Sequence, residues 1–352
     1  MRIVVGMSGG VDSSVAALLL KREGHEVIGV FMNNWEEKDE SGVCTAERDW
    51  SDVRRVCDLI DIPYYSVNFA REYKERVFAR FLAEYELSRT PNPDVLCNRE
   101  IKFSAFLDFA LKLGAEKLAT GHFANLGAAD GLFTLLRAAD EAKDQTYFLY
   151  MLGQRALSRA LFPVGNLVKG EVREIARKAG LPVSDKKDST GVCFIGERDF
   201  RAFLQNYLPA TPGEIVTEDG KVVGRHEGVL YYTLGQRRGL GIGGSGTGER
   251  WFVIDKDTRG NRLVVAQGAD SPRLYAMEAT AGELTWIAGR APGMSFDALV
   301  RLRHRQPLQE VRVDIDGGRA RLSFRTRQRA VTPGQSAVLY RDRVCLGGGI
   351  IE

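Results

Sequence analysis

Two patterns of apolar and polar residues follow one another along this chain of 352 residues, and the change falls near residue 205. In the first part, short β-branched runs alternate with longer segments whose apolar residues recur at helical spacing. The predicted strands cover residues 2–6, 26–32, 64–68 and 117–120, and the predicted helices cover residues 12–23, 46–60, 71–87 and 100–113. Strands that alternate with helices predict an α/β domain with a doubly wound parallel sheet.

Helical periodicity is nearly absent beyond residue 205. The alternating runs at 214–217, 221–223, 250–255 and 262–266 indicate short strands. Two later runs, 309–315 and 319–325, flank the sequence Asp316-Gly317-Gly318 and predict a β-hairpin. We therefore expect an α/β domain at residues 1–205, followed by two small all-β units at 206–271 and 272–352, the second of them barrel-like.

Composition narrows the class of protein. The chain is 44% hydrophobic and 27% charged, with a mean hydropathy of −0.20, and it has no uncharged apolar run of about 18 residues, so we expect no membrane span. Met1 leads into the first strand without the features of a signal peptide, and five cysteines are too few for a disulfide scaffold, so we expect a cytoplasmic protein. The net charge of +3 excludes a whole-chain polycation, and any nucleic-acid surface must be local.

A loop rich in glycine and serine follows the first strand and opens the first predicted helix. Its residues are Gly6, Met7, Ser8, Gly9, Gly10, Val11, Asp12 and Ser13. Glycines allow a sharp turn, and the helix N-terminus behind them carries partial positive charge, so the loop predicts an anion site. The loop matches neither GxxxxGK(S/T) nor GxGxxG. Asp12 fits an anion site if it holds Mg²⁺ that bridges phosphates; an ordinary strand–helix turn is the alternative.

Cys97 follows two prolines that end any preceding helix. If a helix begins with Asp94 as its N-cap, Asp94 and Cys97 share one face of its first turn. The helix dipole lowers the pKa of a thiol in that position, and a nearby carboxylate can act as a general acid or base. We therefore predict a reactive Cys97 with Asp94 as its acid–base partner.

Cys193 lies in a polar, glycine-flanked segment, residues 185–196, with two lysines upstream. This setting predicts a surface loop with a nucleophilic thiol. We interpret Cys57 and Cys345 as buried packing residues, and we also favour packing for Cys44. A zinc site is not expected, because the chain has no CxxC motif and its four histidines are scattered.

Arginines are concentrated near the C-terminus. Residues 290–343 contain 12 arginines, no lysine and 5 acidic residues, a net charge of +7. The arginines alternate along predicted strands, which puts each set on one face of a sheet and suits phosphate contacts. The sets are Arg301, Arg303 and Arg305; Arg319 and Arg321; and Arg325, Arg327 and Arg329. A solvated β face is the alternative, and we predict RNA binding from this segment only in combination with the N-terminal motifs. Gln236, Arg237 and Arg238 form a second candidate contact.

The glycine–serine loop resembles that of the ATP pyrophosphatase superfamily, whose members bind ATP there and transfer AMP to an oxygen of a substrate. The resemblance implies that Met32 lies near the adenine and that Gly121 closes over the nucleotide. Adenylation turns a carbonyl oxygen into a leaving group that a persulfide sulfur can displace, and a second thiol can then free that sulfur. A nucleotide loop with two reactive thiols therefore suggests sulfur transfer.

Longer motifs resemble the bacterial-type tRNA-specific 2-thiouridylase family over nearly the whole chain. They are FMNNW at 31–35, TPNPDVLCNREIKF at 90–103, KDQTYFL at 143–149, DSTGVCFIG at 188–196, TLGQRRGLG at 233–241 and a late CLGGG. The family thiolates the 2-position of the wobble uridine. The resemblance implies that Cys193 carries the persulfide, that Cys97 is the second cysteine, closing a disulfide with it, and that Asp94 is the acid–base residue.

The resemblance also implies the partners of the chain. They are ATP with Mg²⁺, the anticodon loop of tRNA, and a sulfur donor such as a cysteine desulfurase or a relay protein. Asn92, Pro93 and Asp94 would meet the target base. The other implied tRNA contacts are His122, Lys143, Asp144, Gln145, Arg303, His304 and Gln335. His304 replaces a more usual tyrosine, although imidazole can still stack on a base.

Two other functions are weighed against thiolation. A synthetase or ligase of the ATP pyrophosphatase type, acting on a small molecule, would need neither Cys97 nor Cys193. A non-catalytic RNA-binding module would bind tRNA without releasing pyrophosphate from ATP.

Overall fold

The computed structural model describes residues 1–36, 45–188, 200–243 and 247–352. Five parallel strands form the first sheet: β1 (Arg2–Met7), β2 (Glu26–Asn33), β3 (Tyr64–Asn68), β4 (Lys117–Thr120) and β7 (Ala160–Leu161). Their order is β3-β2-β1-β4-β7, with Arg2 opposite Glu26 and Met7 opposite Phe31 in the central pair. The predicted parallel sheet is confirmed, and it contains all four predicted strands.

Helices cover both faces of this sheet. Alternate side chains of β1 point to opposite faces, and both sets are apolar, so both faces need to be covered. Ile3 and Val5 belong to an apolar cluster that includes side chains of α1 (Val11–Arg22), α2 (Thr45–Ile60) and the helix Lys169–Lys178. Val4 belongs to a cluster on the other face, formed with the helical segments 70–86 and 93–112. The predicted doubly wound arrangement is therefore confirmed.

The two long helical segments on that second face both contain π-helical turns. Residues 70–86 comprise Ala70–Tyr73, Lys74–Phe78 and Ala79–Glu86, of which the middle piece is π-helical. Residues 93–112, called the Pro93 helix below, comprise Pro93–Leu96, the π-helical Cys97–Ala105, and Phe106–Lys112. The predicted start at residue 100 is wrong, because a proline at the first helical position starts this helix earlier. The shorter helices are Gln154–Leu157 and Phe200–Gln205, with 3₁₀ turns at Thr146–Phe148, Val229–Tyr231 and Pro272–Leu274.

A four-stranded sheet forms the middle of the chain. Its strands are β8 (Gly213–Thr217), β9 (Val222–His226), β10 (Trp251–Asp257) and β11 (Arg262–Gln267). They lie in the order β10-β11-β8-β9, and the β11–β8 pair is parallel. All four correspond to strands predicted from alternation.

The last part of the chain forms an antiparallel barrel. Its strands are β12 (Tyr275–Trp286), β13 (Ser295–Arg301), β14 (Gln309–Asp316), β15 (Arg319–Arg329), β16 (Ser336–Arg341) and β17 (Val344–Ile351). The strand β12 pairs with both β15 and β17, which closes the ring. The predicted hairpin is the β14–β15 pair, and the barrel-like expectation is confirmed.

One hairpin was not predicted. β5 (Ala124–Ala129) and β6 (Leu132–Arg137) follow β4 in the chain, but β6 pairs with β17 and extends the C-terminal sheet. The first part of the chain thus contributes two strands to the last sheet. Among the described residues, no helix is both long enough and apolar enough to cross a bilayer.

Candidate active site and tRNA-contact residues

The glycine–serine loop lies where the strand order of the parallel sheet changes direction. β2 and β3 lie on one side of β1, whereas β4 and β7 lie on the other. The loops after β1 and β4 therefore flank one crevice at the carboxyl ends of the strands, where open α/β sheets bind ligands. This crevice is the candidate nucleotide site.

Hydroxyl groups hold the turn of the loop. The Ser13 hydroxyl accepts from the Ser8 amide at 3.2 Å and lies 3.1 Å from the Ser8 hydroxyl, while the Ser14 hydroxyl donates to the carbonyl of Gly10 at 2.8 Å. Gly9 has a φ of 73°, and a Cβ there would lie 2.7 Å from the carbonyl oxygen of Asp49. These contacts hold the turn of the loop, and the loop ends at the N-terminus of the 12-residue helix α1.

Gly121 and Met32 both lie at this loop. A Cβ at Gly121 would stand 2.5 Å from the Ser13 amide nitrogen and 2.7 Å from the carbonyl carbon of Asp12. The Cε of Met32 lies 3.8 Å from the position that a Cβ on Gly6 would take. The structure therefore brings together the residues expected at the nucleotide, while their contact with ATP stays a prediction.

Lys169 supplies this loop with a cation that the sequence did not reveal. Its Nζ donates to both carboxylate oxygens of Asp12, at 2.6 and 2.8 Å, although the two residues are 157 positions apart. Burial raises the pKa of Asp12, and the hydrogen bond from Lys169 opposes that rise. No motif spacing links the two positions, so only the fold could identify this lysine.

Asp188 links the same lysine to two further cations. Its carboxylate lies 2.8 Å from Nζ of Lys169, 2.7 Å from Nζ of Lys143 and 2.9 Å from Nη2 of Arg173. Burial would raise the pKa of Asp188, but the hydrogen bonds from Lys143 and Lys169 outweigh it and bring the pKa to about 2. Lys143, a predicted tRNA contact, is therefore engaged in an ion pair within the protein.

Asp94 and Cys97 lie near the start of the Pro93 helix. The side chain of Asn92 accepts from the Asp94 amide at 3.2 Å, and Pro93 is the first helical residue. The prediction that Asp94 is the N-cap is therefore wrong, because Asn92 caps the helix and proline favours the position after the cap. Their three-residue spacing still puts Asp94 and Cys97 on one face.

The Pro93 helix runs along the candidate nucleotide crevice. The ring of Phe103 lies 6.1 Å from that of His122 in the loop after β4, and Cε1 of Phe106 lies 3.2 Å from the Cβ position of Gly6. Cys97 itself is only 1% exposed, so the thiol predicted to be reactive is buried in this structure. Cys193 and Cys44 lie outside the described residues.

The remaining described cysteines are packing residues, as predicted. Cys57 and Cys345 are both 0% exposed. Burial raises the pKa of Cys57 to about 12 and also raises that of Cys345, so neither forms a thiolate readily. The described residues contain no group of three or more histidine, cysteine or acidic side chains that could hold a metal.

Asp144, expected to touch tRNA, is buried. Its carboxylate accepts from Nη1 of Arg301 at 2.8 Å and from the Thr146 hydroxyl at 3.0 Å, and it lies 3.7 Å from Nε of Arg137. The Asp144 side chain is 0% exposed, so its carboxylate has no surface for an RNA contact in this structure. The carboxylate joins the first part of the chain to the C-terminal barrel, and a contact of Asp144 with RNA stays a prediction.

Other residues that are expected to contact tRNA also interact with groups within the protein. Gln145 accepts from the Phe123 amide at 2.9 Å, and Nε2 of Gln335 donates to the carbonyl of Thr90 at 2.7 Å. His304 lies with its ring 4.5 Å from that of Phe148. Arg303 donates to the carbonyls of Leu234 and Ala330, at 2.8 and 3.0 Å, and to the Thr332 hydroxyl at 2.9 Å. Contact of these residues with RNA stays a prediction.

His122 is buried beside the crevice. Its Nδ1 lies 2.8 Å from the Thr120 hydroxyl, and burial, together with the charge of Lys102, holds its pKa well below the usual value. The imidazole is therefore neutral near pH 7, and a contact with tRNA would be a hydrogen bond rather than an ion pair.

The C-terminal arginines divide into two groups. Arg301 is buried and ends its strand, so the predicted alternation of Arg301, Arg303 and Arg305 along one face is wrong. On β15 the arginines are exposed, as predicted, but several pair with acidic side chains. These pairs are Arg319–Glu352 at 3.0 Å, Arg321–Glu278 at 2.8 Å and Arg325–Glu310 at 3.8 Å. Such pairing is typical of a solvated β face and leaves fewer arginines for phosphates.

The chain matches three family models in succession. They are described as a tRNA methyl transferase HUP domain at residues 1–197, a tRNA methyl transferase PRC-barrel domain at residues 201–267 and an aminomethyltransferase beta-barrel domain at residues 277–351. The chain is also 57% identical over 352 residues to the tRNA-specific 2-thiouridylase MnmA of Alkaliphilus oremlandii, which covers 100% of this chain and 97% of that protein.

The chain belongs to the tRNA-specific 2-thiouridylase family. Proteins of the same name from Methylobacillus flagellatus and Enterococcus faecalis are 56% and 55% identical to it, covering 99% and 100% of this chain and 98% and 95% of those proteins. The resemblance seen in the motifs is thus confirmed over the full chain. In this thiouridylase family member, the crevice at β1 and β4 and the Pro93 helix form the candidate active site.

Proposed function

We propose that this chain is an ATP-dependent tRNA sulfurtransferase that forms 2-thiouridine at the wobble position. The observation that supports the proposal is the glycine–serine loop at the switch point of the sheet, alongside the Pro93 helix, in a member of the thiouridylase family. In the proposed reaction, the loop binds the phosphates of ATP. The C2 oxygen of the uridine attacks the α-phosphorus, and pyrophosphate leaves.

The proposed second half replaces oxygen by sulfur. The terminal sulfur of a Cys193 persulfide attacks C2, and AMP leaves with the oxygen. Cys97, as a thiolate, then attacks Sγ of Cys193. The bond between this Sγ and the transferred sulfur breaks, the transferred sulfur stays on C2 of the nucleoside, and a Cys97–Cys193 disulfide forms. A thiol reductant must return both cysteines to the reduced state before the next turnover. Asp94 would move protons at the target base.

The proposed partners follow from this reaction. ATP would contact Gly6, Met32 and Gly121, and Mg²⁺ would bind the phosphates jointly with Asp12. A carboxylate together with substrate phosphates is the usual ligand set of magnesium. Asp12 would have to give up one of its two hydrogen bonds from Lys169 to hold the ion. A cysteine desulfurase or a relay protein would supply the persulfide, and the reaction would take place in the cytoplasm.

The proposed domain roles follow the chain. Residues 1–205 would form the catalytic nucleotide-binding domain, residues 206–271 a linker domain, and residues 272–352 the tRNA-binding domain. Arg237, Arg238 and Arg327 support RNA binding, because they are exposed and have no acidic partner among the ion pairs of the described residues.

Mass spectrometry of tRNA nucleosides tests the proposal. The protein is incubated with tRNA, ATP, Mg²⁺, a cysteine desulfurase and cysteine, and uridine is expected to gain one sulfur in place of one oxygen. Cys97→Ser and Cys193→Ser should each abolish this product, whereas Cys57→Ser should retain it. Absence of the thiolated product, with release of pyrophosphate from ATP that both serine variants retain, would favour a small-molecule synthetase. Binding of tRNA without release of pyrophosphate would favour a non-catalytic RNA-binding module.

A further inference from the structure

The segment that leads into the Pro93 helix, residues 88–91, is contacted from both all-β units. We call it the approach segment. The Thr90 amide donates to the carbonyl of Pro333 at 2.9 Å, and Nε2 of Gln335 donates to the carbonyl of Thr90 at 2.7 Å. A Cβ at Gly334, whose φ is 89°, would lie only 2.8 Å from the Thr90 amide nitrogen. The C-terminal barrel thus holds Thr90 through its backbone.

The middle unit contacts the same segment through two side chains. The Thr233 hydroxyl lies 3.2 Å from the Thr90 hydroxyl. Lys256, from β10, directs its ammonium to the carbonyls of Ser88 and Tyr232, the second at 3.0 Å. Ser88 itself has a φ of 56°, in the left-handed region, so its conformation needs support from its surroundings.

The surroundings of Lys256 are unusual for a lysine side chain. Burial lowers its pKa to about 8, and no carboxylate pairs with it among the ion pairs of the described residues. Lys256 is half-buried, and withdrawing an ammonium from water without a carboxylate partner costs folding free energy. The ammonium is instead compensated by the carbonyl oxygens of Ser88 and Tyr232, which ties β10 to the approach segment.

We infer that Lys256 is a positioning residue that fixes the approach segment and, through it, the first turn of the Pro93 helix that carries Asp94. The inference rests on the proposed function, in which Asp94 acts at the target uridine. Lys256 acts through Ser88 and touches no substrate. Asn92, which caps the helix, lies only two residues after the clamped Thr90, so a shift of the segment moves the cap and the Asp94 carboxylate together. A displacement of about 1 Å at a reacting group can cost about a hundredfold in rate.

Single-turnover thiolation of tRNA by Lys256→Met tests this inference. The expected result is a rate constant about 10- to 100-fold below that of the unchanged protein, with the KM for ATP and the Kd for tRNA altered less than about twofold. Lys221→Met is the matched control, because Lys221 is an exposed lysine of the same unit and lies outside the site. It should thiolate tRNA at the normal rate.

Amide hydrogen exchange gives a readout that does not depend on activity. In Lys256→Met, the Thr90 amide should exchange at least about tenfold faster, while amides in the centre of β10 and β11 keep their protection. Thr233→Val removes a second contact on the same segment and should show the same pattern more weakly. It provides the test if Lys256→Met does not fold.

The outcomes separate the two proposals. If the unchanged protein does not thiolate tRNA, the proposed function fails, and the exchange data still decide whether Lys256 fixes the segment. If the protein thiolates tRNA and both folded variants react at the normal rate, the positioning role is overturned. A uniform loss of protection across the middle unit would also overturn it, because that result indicates a general structural role.

Discussion

Nζ of Lys169 lies 2.6 and 2.8 Å from the two carboxylate oxygens of Asp12, so the glycine–serine loop carries a cation from a helix far along the chain. The helix Lys169–Lys178 packs against α1 in one apolar cluster, which fixes the distance between the two side chains. A loop that lacks its own lysine thereby gains a positive charge at its edge. The added positive charge raises the expected affinity of the loop for an anion.

Lys169→Gln is expected to weaken ATP binding. The change removes a cation and leaves the Asp12 carboxylate unneutralised beside the phosphates, so the KM for ATP should rise about 10- to 100-fold. The measurement is pyrophosphate release in the presence of tRNA and a sulfur donor, as a function of ATP concentration. Lys178→Gln, at the exposed end of the same helix, is the control. An unchanged KM for ATP in Lys169→Gln would contradict the expectation.

Gly121→Ala should disturb the nucleotide loop without a change in charge. The added methyl would lie 2.5 Å from the Ser13 amide nitrogen, so the loop after β4 or the first turn of α1 must shift. We expect a loss of about 1–3 kcal/mol in the free energy of unfolding, together with weaker ATP binding, measured by urea denaturation and ATP titration. Gly153→Ala is the matched control, because a Cβ at Gly153 meets no atom within 4 Å. Equal effects of the two changes would argue against a close contact at Gly121.

Asp144→Asn should act mainly on stability. The change leaves the buried Arg301 guanidinium without its carboxylate, which costs about 3 kcal/mol or more in the free energy of unfolding. Asp297→Asn, which breaks the exposed pair with Arg312, should cost less than about 1 kcal/mol. Urea denaturation of both variants gives the comparison. A stable Asp144→Asn protein with weakened tRNA binding would instead support the direct RNA contact.

His122 should make stability depend on pH. Because burial holds its pKa well below about 6.5, the unfolded chain binds a proton near that pH that the folded protein does not. Its contribution to the free energy of unfolding is complete above pH 6.5 and falls as the pH decreases. His122→Gln should therefore lose less stability between pH 7.5 and about pH 5.5, measured by urea denaturation. Burial also lowers the pKa values of His226 and His304, so part of the pH dependence should remain. An identical pH dependence in the variant would rule out this role for His122.

Much of the fold could be predicted from local patterns in the sequence. Short β-branched runs identified the four strands of the parallel sheet before β7, and alternation identified the strands of the middle sheet and the β14–β15 hairpin, because strand and helix periodicities are local. The helix boundary at Pro93 was missed, since the capping role of Asn92 was assigned to Asp94. The β5–β6 hairpin was missed although its turn, Asp130-Gly131, has φ values of 52° and 74° and is the dipeptide typical of two-residue hairpin turns. Only the pairing of β6 with β17, about 200 residues later, leaves no local signal.

The sequence by itself determined the class of fold, the glycine–serine loop from Gly6 to Ser13 and the family, because each depends on short runs of adjacent residues. Only the tertiary structure decided which distant residues meet. Lys169 contacts Asp12, Arg301 contacts Asp144, and Lys256 contacts the carbonyl of Ser88. Charges and hydrogen bonds act over a few ångströms in space, whatever the separation along the chain. The folded arrangement of helices and sheets therefore determines which residues complete the site.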